Sequence, residues 1–153
     1  MAQEFGESFT ELEQSVMEDM RKVYSEKTID YFLNPRNLGQ IPAPDGFARI
    51  AGLCGDTMEI YLRVRDDKIV QVSFWTDGCG TTIASGSVVT ELAKGKSITE
   101  AWRINYKDIL DALGGLPEDS RHCALLAAGA LREAIKDYLA FKNEPWKRAY
   151  TNR

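Results

Sequence analysis

The stretch TMEIYLRVRDDKIVQVSFWTDGCGTTIASGSVVTEL (residues 57–92) changes its hydrophobic period once, and that change decides the fold. Through TMEIYLRVR, Met58, Ile60, Leu62 and Val64 alternate with Glu59, Tyr61, Arg63 and Arg65, the two-residue period of a strand. The run IVQVSFW repeats the pattern after the turn DDK, so the two segments read as a hairpin. From Thr82 the alternation stops. Ile83, Val88 and Leu92, separated by small residues, predict a helix that ends at Gly95.

The flanks extend the order in both directions. Upstream, FARIAG is a short strand candidate, preceded by FLNPRNLGQIPAPDG, which holds three of the five prolines and reads as an irregular connection. Ser8 to Glu11 fits a capping box for an N-terminal helix, with Phe9, Leu12, Val16, Met20 and Val23 on one face. Downstream, Ser97 and Glu100 predict a second capping box over ITEAWRI, and Asn105 caps YKDILDAL before the glycine pair Gly114 and Gly115. A long last helix is expected from Pro117 or Glu118 through HCALLAAGALREAIKDYLAFK. The expected architecture is α+β: an N-terminal helix (1–30), an irregular linker (31–46), then a three-stranded antiparallel sheet with four helices on one face (47–143) and a tail (144–153). With 153 residues and neither a repeat nor a low-complexity tract, one domain is expected.

Bulk properties narrow the function classes. A net charge of -4 and a pI near 5.1 argue against nucleic-acid and anionic-membrane partners, which favour basic surfaces. No apolar run approaches the roughly 20 residues of a membrane span. The opening MAQEFGESFTELEQ is acidic and has neither signal-peptide nor transit-peptide order, so a cytoplasmic, unprocessed chain is expected. In that compartment three cysteines do not read as a disulfide framework.

The cysteines fall at telling places. Cys54 lies in the turn between the first two strands, followed by Gly55 and Asp56. Cys79 sits between Gly78 and Gly80 where the third strand gives way to a helix, and Cys123 follows His122, the one histidine, in the opening turns of the last helix. In a meander, the first turn and the end of the third strand share a sheet edge, so Cys54 and Cys79 are expected together there. A helix starting above that edge supplies His122 and Cys123. Helix N-termini favour thiolates, the metal-binding form of cysteine, and flanking glycines let an inorganic group approach backbone N–H donors. Three thiolates, an imidazole and the Asp56 carboxylate exceed the four ligands of a closed structural zinc site. Read singly, each cysteine is as well explained as a buried thiol, and no spaced pair such as C-x-x-C is present.

The segments NPRNLG, CGDTMEIYLRV, VSFWTDGCGTTIASGSVVTELAKGKSITEA and HCALLAAGALREAIKDY resemble, in order and separation, the IscU/NifU-type scaffold family of iron–sulfur cluster assembly, from about Asp30 to about Lys142. The resemblance implies a scaffold without turnover chemistry of its own. On it, a 2Fe–2S cluster (4Fe–4S is the alternative) is built from Fe(II) and persulfide sulfur, with zinc as an occupant of the same ligands. Implied partners are a cysteine desulfurase, an electron donor such as a ferredoxin, apo-protein acceptors, and a second copy sharing the cluster. By motif, Cys54, Cys79 and Cys123 are the thiolate ligands, Cys123 is also the sulfur acceptor, and Asp56 and His122 are the non-thiolate groups. Three thiolates with a harder ligand leave a more labile corner than four would, as a scaffold that releases its product requires. The chain departs from the family where many bacterial members carry Leu-Pro-Pro-Val-Lys before His-Cys: here the residues are Leu116, Pro117, Glu118, Asp119 and Ser120, which puts recognition by a dedicated chaperone in question.

Two other classes compete. A structural zinc site would use the same ligands merely to hold the domain together. A cysteine-dependent hydrolase or transferase would use Cys79 as nucleophile, His122 as base and Asp56 as orienting group, leaving Cys54 and Cys123 idle.

Overall fold

The computed structural model describes residues 2–53, 55–144 and 146–147, with side chains from Thr10 onward. Its elements are α1 (Ala2–Val23), α2 (Glu26–Leu33), β1 (Gly46–Ala51), β2 (Thr57–Arg65), β3 (Lys68–Thr76), α3 (Gly80–Ala93), α4 (Ile98–Trp102), α5 (Tyr106–Leu113), a 3-10 turn (Glu118–Ser120) and α6 (Arg121–Phe141). The three strands form an antiparallel sheet in the order β1-β2-β3. The predicted α+β order of helix, meander and helices is present, and β2 coincides with the alternating run TMEIYLRVR.

Local chemistry explains the joints. Asp66 and Asp67 both have positive φ (53° and 57°), as a two-residue type I′ hairpin requires. Both predicted downstream caps form: Ser97 with Glu100 on α4, and Asn105 with Asp108 on α5, which ends on a left-handed Gly114.

The N-terminal expectation needs correction. Helix α1 begins at Ala2, so Ser8 lies inside it and Ser8 to Glu11 is no cap; Ala, Gln and Glu sustain a helix before it. The single N-terminal helix over 1–30 is in fact two. Ser25 interrupts it, accepting the N–H of Thr28 at 3.0 Å as the N-cap of α2, and also donates to the Leu113 carbonyl at the end of α5. The apolar face of α1 is open: Leu12, Val16 and Val23 are exposed.

The core lies between the inner sheet face and two helices, with α3 over β3 and α6 over β1 and β2. Met58, Ile60, Leu62 and Phe74 are fully buried there. Small residues on α6 (Ala124, Ala127, Ala130, Ala134) allow close approach: a Cβ on Gly46 of β1 would stand 2.6 Å from the Ala134 carbonyl oxygen. The outer face of β2 is covered as well. Tyr61 and Glu59, which alternation placed on the opposite side from the core, are buried; Tyr61 donates to Glu59 and its ring lies 5.0 Å from Phe47. On this face the Pro42 carbonyl takes Arg63 Nη2 at 2.7 Å.

The free edge of β3 is also capped. Asn37 and Gly39 bond to both sides of Phe74 (3.0 and 2.8 Å), and Gly95 and Lys96 bond to Ile69 (2.7 and 2.9 Å). No unpaired edge is left at these points for a stray strand. Among the described residues, no helix is long and apolar enough to cross a membrane.

Candidate metal centre

Three elements meet at one end of the sheet. The β1–β2 turn supplies Asp56, the β3–α3 junction supplies Cys79, and the first turn of α6 supplies His122 and Cys123. Asp56, His122 and Cys123 offer ligand atoms within 4.8 Å of one another. Cys79 joins them through two hydroxyls. Thr81 Oγ1 lies 3.1 Å from Cys79 Sγ and 3.3 Å from Cys123 Sγ; Thr82 Oγ1 lies 3.7 Å and 3.3 Å from the same sulfurs. Thr82 also donates to Asp56 Oδ2 at 2.9 Å, and His122 Nε2 is 3.6 Å from Cys123 Sγ. Cys54 lies outside the described residues. The edge expected from the meander therefore holds Asp56, Cys79, His122 and Cys123.

The frame is set by the chain ends of the strands. Thr76 Oγ1 donates to the Thr57 carbonyl (2.6 Å), and the Thr57 N–H is held by Asp77 Oδ1 (2.7 Å). These bonds fix the exit of β3 against the entry of β2, and so Cys79 against Asp56. Of the glycines beside these cysteines, Gly55 has a positive φ (84°). Gly78 and Gly80 are small because the site is tight: a Cβ on Gly78 would stand 2.9 Å from Asp56 Oδ2, and one on Gly80 would stand 2.7 Å from the Phe32 ring.

The two described sulfurs differ sharply. Cys79 is exposed and takes the N-cap position of α3. Its partial burial works against ionisation, but hydrogen bonding from the Thr81 hydroxyl and from the backbone N–H groups of Thr82 and Thr81 outweighs that, and its pKa falls to about 7. Cys123 is fully buried, and burial pushes its thiol up. Alkylation of metal-free protein should show the difference. Cys79 should react at a rate that is half-maximal near pH 7 and falls about tenfold for each unit below it. Cys123 should stay unmodified until the chain unfolds. Peptide mass spectrometry after timed iodoacetamide pulses would read both, and equal labelling of the two would refute the assignment.

The donor set suits a metal. Asp56 Oδ1 is buried with no hydrogen-bond partner among the described residues, a costly state for a carboxylate oxygen unless something else binds it. Two thiols, an imidazole and a carboxylate offer the mixed soft and hard ligation that iron and zinc accept.

Comparison with known proteins identifies the family of the chain. The family model described as "NifU-like N terminal domain" matches residues 23–145. The chain belongs to that family. It is 49% identical over 117 residues to the iron-sulfur cluster assembly scaffold protein IscU 1 of Archaeoglobus fulgidus, covering 76% of each chain. It is 45% identical over 120 residues to the IscU scaffold protein of Escherichia coli K12, covering 75% of this chain and 93% of that one. The crystal structure of a NifU-like protein (N-terminal) from Brucella abortus aligns with a TM-score of 0.62 at 24% identity, over 77% of this chain and 95% of that one, which shows the shared fold. In this NifU-like chain Thr81 and Thr82 are the members of the site that sequence reading passed over. Their signal was present: two threonines, modest helix formers, in the first turn directly after Cys79-Gly80.

Proposed function

We propose that this NifU-family chain is a scaffold on which an iron–sulfur cluster, 2Fe–2S in the first instance, is assembled and then passed to apo-proteins. The observation that carries the reading is the convergence of Asp56, His122 and Cys123 within 4.8 Å, with Cys79 linked to them through Thr81 and Thr82. On this reading Cys54, Cys79 and Cys123 are the thiolate ligands, and Asp56 and His122 supply the harder, more exchangeable corner. Iron and the cluster are cargo. The chain's own residues bind and orient them, and no turnover chemistry is assigned to it.

The proposed partners follow from the chemistry: a cysteine desulfurase as sulfur donor, a ferredoxin-like electron donor, and apo-protein acceptors, all in the cytoplasm. The burial of Cys123 bears on the sulfur step. Cys79 is the described sulfur that a donor meets first, and transfer to Cys123 as acceptor needs the start of α6 to be uncovered. A groove of about 250 Å³ lined by Met20, Tyr24, Phe32 and Cys79 opens beside that sulfur, and the exposed apolar residues of α1 support a contact there with a partner or a second copy.

Anaerobic reconstitution with iron(II) and sulfide tests the proposal. Sulfur-to-iron charge-transfer bands with matching iron and sulfide content should appear, and should be lost as an apo-ferredoxin gains its cluster. Failure to form any cluster, with zinc bound tightly and needed for folding, would instead establish the structural zinc site.

A further inference from the structure

The hydroxyl of Thr82 stands where three chain segments meet. It is fully buried on the first turn of α3, and its oxygen lies 2.9 Å from Asp56 Oδ2 of the β1–β2 turn, 3.3 Å from Cys123 Sγ of α6 and 3.7 Å from Cys79 Sγ. A threonine hydroxyl has one proton and two lone pairs, and a carboxylate only accepts. The proton therefore goes to Asp56, and the lone pairs face the sulfurs. Thiol protons are lost when sulfur binds a metal. A deprotonated sulfur no longer donates to this hydroxyl, and the bond in which Thr82 is the donor is the one to Asp56. The neighbouring Thr81 hydroxyl touches both sulfurs but has no bond to Asp56.

The carboxylate has little other support. Its Oδ1 finds no donor among the described residues, so Thr82 is the side chain seen to fix its orientation. The space around this bond is closed. A Cβ on Gly78 would stand 2.8 Å from Thr82 Cβ and Oγ1 and 2.9 Å from Asp56 Oδ2. Hydrogen-bond partners of this kind, one step out from a metal, orient its ligands and commonly govern affinity by a factor of about ten to a hundred.

We propose that Thr82 is the positioning residue of this centre: by holding Asp56, it sets how tightly the site takes up an incoming divalent metal. The inference rests on the reading of Asp56 and the cysteines as ligands.

Cobalt(II) titration of the metal-free chain tests both separately, since the thiolate-to-cobalt band reports the sulfurs and the ligand-field bands report the remaining donors. In the wild-type chain both should appear, and Asp56→Ala should change the ligand-field bands. Thr82→Val, of equal shape, should weaken cobalt binding roughly tenfold and shift those bands toward the Asp56→Ala spectrum, while Thr82→Ser restores both. Asp56→Ala with Thr82→Val should bind no more weakly than Asp56→Ala alone, because the hydroxyl acts through the carboxylate. Gly78→Ala, which pushes into the same bond and leaves the hydroxyl in place, should reproduce the Thr82→Val spectrum and keeps the test alive if the valine variant fails to fold. Wild-type binding and spectrum in Thr82→Val, or full additivity in the double variant, would overturn the role of Thr82. Absence of any thiolate-to-cobalt band in the wild-type chain would overturn the ligand reading with it.

Discussion

Cys123→Ala should abolish cluster retention while leaving the chain folded. On the proposed reading, Cys123 is, among the described residues, the sulfur that both approaches the Asp56 and His122 ligand atoms and shares two hydroxyls with Cys79. Removing it leaves, among the described residues, the exposed Cys79 and two harder donors, and only Cys54 remains beside Cys79 of the three proposed thiolates. Loss of a merely supporting bond costs metal affinity about ten- to a hundredfold, so the loss of this ligand should exceed a hundredfold, and reconstitution should yield no charge-transfer bands. The fold should survive. A cysteine-to-alanine change deletes one atom, and with the two weak hydroxyl contacts the cost should be about 1 kcal/mol, a few degrees in Tm. Far-UV circular dichroism and thermal melting, run beside the iron and sulfide assays, separate the two effects. Normal cluster yield from Cys123→Ala would remove this residue from the ligand set and move the centre outward to Cys79.

The sequence made the strands legible because one face of each is packed on helices and the pattern of Met58, Ile60 and Leu62 follows from that. The caps were legible for a similar reason: Ser97 with Glu100 and Asn105 with Asp108 satisfy local N–H groups, and such bonds depend on nothing distant. What escaped were long-range effects. The burial of Glu59 and Tyr61 draws on neighbours outside β2, the Phe47 ring beside Tyr61 and Arg49 paired with Glu59, which alternation within the strand cannot report. The break at Ser25 depends partly on a carbonyl 88 residues away at Leu113. Cysteines, histidine and aspartate announced the centre by residue type, whereas Thr81 and Thr82 acquire their role only when α3, α6 and the β1–β2 turn are brought together.

Phe74→Ala should show how far that centre depends on the core behind it. The ring is fully buried against α3, so close that a Cβ on Gly86 would stand 2.5 Å from it, and its backbone pairs with Ile60 on one side and with Asn37 and Gly39 on the other. Truncating a buried phenylalanine costs about 3–5 kcal/mol, a large share of the roughly 5–15 kcal/mol that holds a domain folded. Tm should fall by roughly 10 °C. Because α3 would lose its seat on β3, and the same strand runs on through Thr76 and Asp77 to Cys79, metal affinity should fall together with stability. Thr82→Val provides the contrast, since a change confined to the centre should weaken metal binding with little change in Tm. If Phe74→Ala instead melted within a degree or two of the wild type, the packing of α3 on β3 would not be what holds Cys79 against Asp56. The bonds from Thr57 to Thr76 and Asp77 would then have to fix that geometry on their own.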